Sequence, residues 1–217
     1  MTSNDAAPET PPDGGAKGLS TRRSVYGRVG GLIVNRLWKE TPSARALRAQ
    51  LRGALSREAG SVPELWDLTL DDRPGYLGDD PTRGERAVHG ALTLWALHQG
   101  SNTRPMHDTS DHPRSFASAI RAVAETQRGD QRAAEETPIY RRFSAAVQAP
   151  TFDGLLVHLR SLISQLEAAE IRCDYAQLGA DLFTWQDPRR RTSVMRNWGR
   201  QFARPAETAH TDPASDE

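Results

Sequence analysis

Three groups of side chains have the types and spacing that chemistry would need: aspartates around a turn, histidines near mid-chain, and rows of arginine. Asp71, Asp72, Asp79 and Asp80, in DDRPGYLGDD, imitate the carboxylate pairs that hold magnesium for phosphoryl chemistry. Such centres need carboxylates converging from rigid elements with a base beside them. These four share one Pro/Gly loop, so they read as an exposed acidic turn that could meet a basic partner. His98, His107 and His112 follow the spacing His-x8-His-x4-His, but zinc sites use tighter pairs, and Cys173 is the only thiol. The glycine pair in YGRVGGLIV fits neither a dinucleotide-binding nor a phosphate-loop pattern, and no serine or threonine stands in a nucleophile-elbow context. No catalytic constellation, metal, cofactor or small-molecule substrate is expected.

The arginines remain. In DLFTWQDPRRRTSVMRNWGRQFAR, residues 181–204, helical geometry separates them from the apolar side chains. At about 100° per residue with Arg196 at zero, Arg189, Arg200, Arg204 and Arg190 fall near 20°, 40°, 80° and 120°, while Val194, Trp198, Phe202 and Met195 fall near 160–260°. Arg191, near 220°, lands on the apolar side of the same wheel. No Asp or Glu occurs from Arg189 to Arg204, although exposed helices ordinarily mix signs, and like charges four residues apart cost a few tenths of a kcal/mol per pair. An anionic partner would reverse that cost. Arg141 and Arg142, in IYRRF, repeat the theme beside apolar anchors.

The elements that must position these residues are helices, since period-2 alternation is almost absent. Ser24 to Lys39 sets Val25, Val29, Leu32, Ile33, Leu37 and the neighbouring Trp38 near one stripe. Thr41 caps a helix opened by Pro42, with Leu47, Leu51 and Leu55 at spacing four and Arg45, Arg48 and Arg52 clustered on one side. Thr82 caps a helix to about Gln99. Further helices are predicted over 115–127, 138–148 behind Thr137, 152–169 behind Thr151, 174–186, and 188–204 behind Asp187. Residues 128–137 read as loop or a further short helix, and VPELWDLTL as a short segment leading into the acidic loop. The clearest stripe is Phe152, Leu155, Leu156, Leu159, Leu162, Ile163 and Leu166. The expectation is an all-α protein of two helical bundle units, about eight to nine helices in total. The N-terminal unit spans 21–112 and the C-terminal bundle 113–204, with disordered tails at 1–20 and 205–217, which lack large apolar side chains.

A formal charge of zero hides segregation. Without the two tails, 27 basic residues stand against 21 acidic ones, a net of +6. Residues 21–60 carry nine bases and two acids, residues 61–82 one base and six acids, and residues 139–204 ten bases and six acids. Only Lys17 and Lys39 of the 28 basic residues are lysine, and arginine's planar fork suits bidentate phosphate contact. One cysteine excludes an internal disulfide, no apolar run approaches a membrane span, and the acidic, proline-rich start is unlike a signal peptide. A cytoplasmic protein without membrane contact is expected.

Several motifs together resemble a known family. LHQG at 97–100 precedes RPMH at 104–107, followed by YRRFSAAVQAPTFDGLLVHLRSLISQL, then DYAQLGADLFTWQDP, then NWGRQFAR. This succession, over roughly residues 30–204, resembles the small subunit of the type I-E CRISPR surveillance complex, Cascade, often called CasB. The resemblance implies an all-α antiviral-defence protein without enzymatic activity. Two copies of it would lie against the backbone and large subunits, helping to hold the guide RNA and target DNA and the displaced strand of the R-loop. The family's nucleic-acid-binding positions correspond here to Arg52, Arg121, Arg141, Arg142, Arg160, Arg189, Arg190 and Arg191, with Arg83 a weaker choice. The helical wheel itself adds Arg196 and Arg200. Two rival readings remain at this level: a stand-alone helical transcription regulator, whose last helix offers only Asn197 and Gln201 as amide base readers, and a metal-dependent nuclease built on the aspartate loop.

Overall fold

The computed structural model describes residues 19–71, 79–128 and 133–204. Asp72 and most of the acidic loop, together with the segments 1–18 and 205–217 where tails are expected, lie outside the described residues. Within them the chain forms nine α-helices and no named strand. Each longer helix starts where a side chain satisfies its first free amides. Thr21 and Ser24 form a capping box for α1 (Arg22–Leu32), and Thr82 and Glu85 form another for α4 (Arg83–Gln99). Thr41 caps α2 (Pro42–Gly53), Ser115 caps α5 (Phe116–Gln127) and Thr137 caps α6 (Pro138–Val147). Thr151, Asp174 and Asp187 do the same for α7 (Phe152–Ala168), α8 (Tyr175–Trp185) and α9 (Pro188–Ala203). A 3₁₀ turn, Pro63–Leu65, leads into the short α3 (Trp66–Thr69), and a second, Ala134–Glu136, precedes α6. Predicted and observed boundaries of the longer helices agree within about two residues.

The helix expected over 24–39 changes character partway. After Leu32 it widens into a π turn, Ile33–Leu37, closed by the Trp38 amide donating to the Ile33 carbonyl at 2.9 Å. Leu19, expected in the N-terminal tail, is instead buried, and its amide donates to Asp71 at 2.9 Å.

Helix α4 is buried nearly throughout and runs through the middle of the molecule, with α1, α2, α7 and α8 packed on it. Helix α1 also packs on α8, α6 on α7, and α9 on α5 and α8. Elements from both sides of the expected division at residue 112 therefore contribute to one contiguous apolar core. Helices α8, α1 and α4 approach closely at Gly179, where an added Cβ would stand 3.0 Å from Val29 and 3.3 Å from Ala91 and would press on both.

The turn after α4 is braced rather than loose. Gln99 accepts from the Met106 amide at 3.0 Å and donates to the Asn102 and Arg104 carbonyls at 2.7 and 2.9 Å. Met106 and Asp108 then bond the backbone of Cys173, bringing the histidines beside α8. His98 Nδ1 lies 2.7 Å from the Tyr175 hydroxyl, and His107 Nδ1 accepts from the Tyr175 amide at 3.2 Å. These two histidines pack on a core tyrosine, while His112 is exposed.

Burial pushes the pKa of His98 down to about 4 from 6.5. The folded state therefore keeps it neutral while the unfolded chain takes up a proton, so stability is full above pH 6.5 and falls as the pH drops towards 4. His89 and His107, also lowered by burial, act in the same direction. Urea unfolding at pH 7 and pH 4.5 should register the loss, of which His98 accounts for at most about 3 kcal/mol; His98→Gln should flatten the dependence by that share.

A second buried polar group ties three helices together. Asp181 accepts from the Trp198 indole at 2.8 Å, from the Gln177 amide group at 2.7 Å and from Arg22 at 3.4 Å. Burial raises its pKa, while those donors pull it back. Asp181→Ala would leave the buried Trp198 N–H without an acceptor, and should cost about 2–3 kcal/mol in denaturant unfolding.

Candidate nucleic-acid interface

Helix α9 carries the largest row of uncommitted charge. Asp187 caps it by accepting from the Arg189 amide at 3.0 Å, and Pro188 occupies the first turn, where no amide is needed. Val194, Trp198 and Phe202 are its buried side. Trp198 packs on Phe116 with ring centroids 5.2 Å apart, and Phe202 stacks on Phe143 at 5.3 Å and meets Tyr140 at 5.0 Å. The opposite side is Arg189, Arg190, Arg196, Arg200 and Arg204, all exposed. None of these five side chains makes a hydrogen bond or ion pair among the described residues.

Arg191 resolves differently. The helix does begin at Pro188, so the wheel correctly turns Arg191 inward. Its guanidinium lies 3.9 Å from the centroid of the Trp185 ring, and it donates to the carbonyls of Trp185 at 3.4 Å and Pro150 at 3.1 Å. It fastens the first turn of α9 to the end of α8 and to the turn before α7. Arg121 is likewise occupied: its side chain is only 14% exposed, pairs with Glu125 and Glu135, donates to the Phe202 carbonyl and covers the Phe202 ring. Arg83 pairs with Asp187 at 3.5 Å and lies over Phe183.

Arg141 and Arg142 are exposed on α6, whose inner side chains Ile139 and Phe143 are buried, and neither has a side-chain partner among the described residues. The contacts of Tyr140 and Phe143 with Phe202 place α6 beside the C-terminal end of α9, so the two sets of free arginines sit on adjoining helices. Arg160 is exposed on α7 and shares a cleft of about 510 Å³ with Arg57, His89 and Val157. Arg52 borders a different cleft, at α2, together with Arg45. Arg141 and Arg142 thus stand on α6 next to the C-terminal end of α9, Arg189, Arg190, Arg196 and Arg200 follow along α9 itself, and Arg52 and Arg160 sit at separate places. Arg45 and Arg57 are further exposed arginines whose side chains have no partners among the described residues; the basic side of α2 signals Arg45, and no sequence pattern signals Arg57.

These features define a class: an all-helical body with a single shared core, whose outer helices present arginines that the fold leaves unneutralised. Residues 47–202 match the model of the family described as CRISPR-associated protein Cse2, well over half of the chain, and the protein belongs to that family, the structural CasB subunits of the type I-E CRISPR Cascade complex. The crystal structure of CasB from Thermobifida fusca is similar at 27% identity and a TM-score of 0.60, over 83% of this chain and 96% of that one. The crystal structure of M. ruber CasB shares the fold at 22% identity and a TM-score of 0.56, over 84% of this chain and 92% of that one. A comparison with curated proteins returns no match. Among the described residues no helix is long and apolar enough to cross a membrane.

The two kinds of arginine should separate in a stability assay. Arg191→Ala loses a ring contact and two carbonyl bonds, and should lower unfolding free energy by about 1–2 kcal/mol. Arg196→Ala and Arg200→Ala should stay within about 0.5 kcal/mol of the parent protein in the same denaturant titration.

Proposed function

We propose that this Cascade subunit is a non-catalytic clamp for nucleic acid. It binds the phosphate backbones of the guide RNA and target strand and of the displaced DNA strand, and so favours the open R-loop. The observation that carries the reading is the row Arg189, Arg190, Arg196, Arg200 and Arg204 beside Arg141 and Arg142, all exposed and without an internal counter-charge among the described residues. Helix α9 is 16 residues long, or about 24 Å, and a strand in duplex form places a phosphate every ~3.4 Å, so about seven phosphates pass along it. Five guanidiniums over that span are a near match in charge density. Arginines of this kind give affinity without reading sequence, which suits a complex in which guide pairing supplies the specificity. The cytoplasm, where guide and invading DNA meet, is the compartment this role requires. A second copy of the chain and the backbone and large subunits are the protein partners, and multivalency within the assembly compensates for weak binding by one copy.

The test is a reconstituted complex carrying Arg141→Glu, Arg142→Glu and Arg190→Glu together. Retention of target DNA should fall by about tenfold or more, on duplex and single strands alike, and the dependence of log K on log salt should flatten by roughly 0.7–0.9 for each phosphate no longer neutralised. Unchanged retention would overturn the proposal. Recovery of a preferred operator sequence by the free chain would favour the transcription-regulator reading instead.

A further inference from the structure

The cleft at α2 has a composition that backbone binding alone does not require. It measures about 550 Å³, within the range of small-ligand sites, and Trp38, Arg45, Arg48, Arg52, Ser101 and Thr103 lie around it. Trp38 owes its place to the π turn before it: the wide turn keeps Leu37 fully buried and leaves Trp38 half-buried on the flank. The Trp38 indole N–H makes no hydrogen bond among the described residues. The facing wall is the turn after α4, where Gly100, at φ +45°, redirects the chain into residues 101–103.

The three arginines are not equivalent. Arg48 is a fixed part of the wall, donating to the Leu37 and Lys39 carbonyls at 2.8 and 3.2 Å and lying 3.7 Å from Glu40. Arg52 has one long bond, 3.5 Å to the Gly100 carbonyl, and the Arg45 side chain has no partner among the described residues. The mouth of the cleft therefore offers two arginines able to swing onto a phosphate beside one aromatic ring. Ser101 and Thr103 also line the cleft.

We propose that this cleft takes one unpaired nucleotide, with its base stacked on Trp38 and its phosphate held by Arg45 and Arg52. The inference rests on the nucleic-acid reading above and goes beyond it, because the α9 arginines hold single and double strands alike. A base can reach an indole face only when it has left its own stack, so Trp38 makes this part of the surface selective for unpaired strand. Stacking of this kind tolerates any base.

The experiment measures binding of the full chain to fluorescent oligo-dT, oligo-rU and a blunt DNA duplex by anisotropy at low salt. Trp38→Ala should weaken binding to both single strands by about tenfold or more and leave duplex binding unchanged, while Trp38→Phe stays within about threefold of the parent. Arg45→Ala should weaken single-strand binding with the melting temperature unaltered. A larger effect on oligo-rU than on oligo-dT assigns the cleft to the guide, and the reverse assigns it to the displaced strand. If Trp38→Ala proves unstable, the readout is quenching of parent tryptophan fluorescence by oligo-dT, which should diminish in the stable Trp38→Phe protein. Quenching that persists undiminished in Trp38→Phe, or equal losses on single strand and duplex, would overturn the stacking site. Parent protein that binds oligo-dT, with Trp38→Ala binding it equally, sinks this inference alone; the proposed function falls separately, on unchanged DNA retention by the reconstituted complex carrying the three charge reversals.

Discussion

The buried carboxylate of Asp181 is the interaction on which the outer face depends. Helix α9 reaches the core through few apolar side chains, Val194, Trp198 and Phe202, and the largest of them carries an N–H that must be satisfied once it is dry. Asp181 accepts that hydrogen bond and, through Gln177 and Arg22, is itself held by α8 and α1. A lone buried carboxylate would be costly, and its raised pKa records that cost; three donors converging on two oxygens bring it down. The result is a fixed orientation for α9, with its apolar side locked against Phe116 and its arginine side necessarily outward.

From that constraint follows a division of labour among residues of one type. Arg121 and Arg191 have aromatic rings beneath them and carbonyls within reach, so their planar guanidiniums serve as internal fasteners. Arg22, Arg36, Arg86, Arg104 and Arg172 each meet a carboxylate. The arginines of outer α9 and α6 have neither option, because no acid occurs on α9 and, among the described residues, none faces Arg141 or Arg142 closely enough to pair. Exposed ion pairs contribute little stability in any case, so their omission costs the fold almost nothing while leaving full charge for a partner.

Much of this was legible in the sequence, for reasons that can be named. The caps Thr41, Thr82, Thr137, Thr151 and Asp187 each precede a periodic apolar run, and local capping chemistry is a strong signal over a few residues. The helical wheel of α9 sorted inward from outward correctly, and its apparent error at Arg191 was the inward guanidinium on Trp185. What could not be read were partnerships between distant residues. Nothing local indicates that Arg121 meets Phe202, that Asp181 meets Trp198, or that His98 and His107 converge on Tyr175. The π turn was invisible for a different reason: it inserts one residue into a continuous helical pattern without any break in composition.

Rigidity is what connects the core to the proposed role. A phosphate contact through an exposed arginine is individually weak and heavily screened by salt, so useful binding requires several contacts made at once by groups already in place. Side chains on a mobile segment would lose much of that gain to ordering. Here the free arginines project from helices whose inner faces are closed by aromatic packing, Tyr140 and Phe143 against Phe202 on one side and Trp198 against Phe116 on the other. The backbone positions are thus fixed before any partner arrives, and only the long arginine side chains must be ordered on contact. In the proposed role, recognition of nucleic acid resides in spacing and charge held by the fold, and the buried Asp181–Trp198 bond is as much a part of that surface as the exposed arginines.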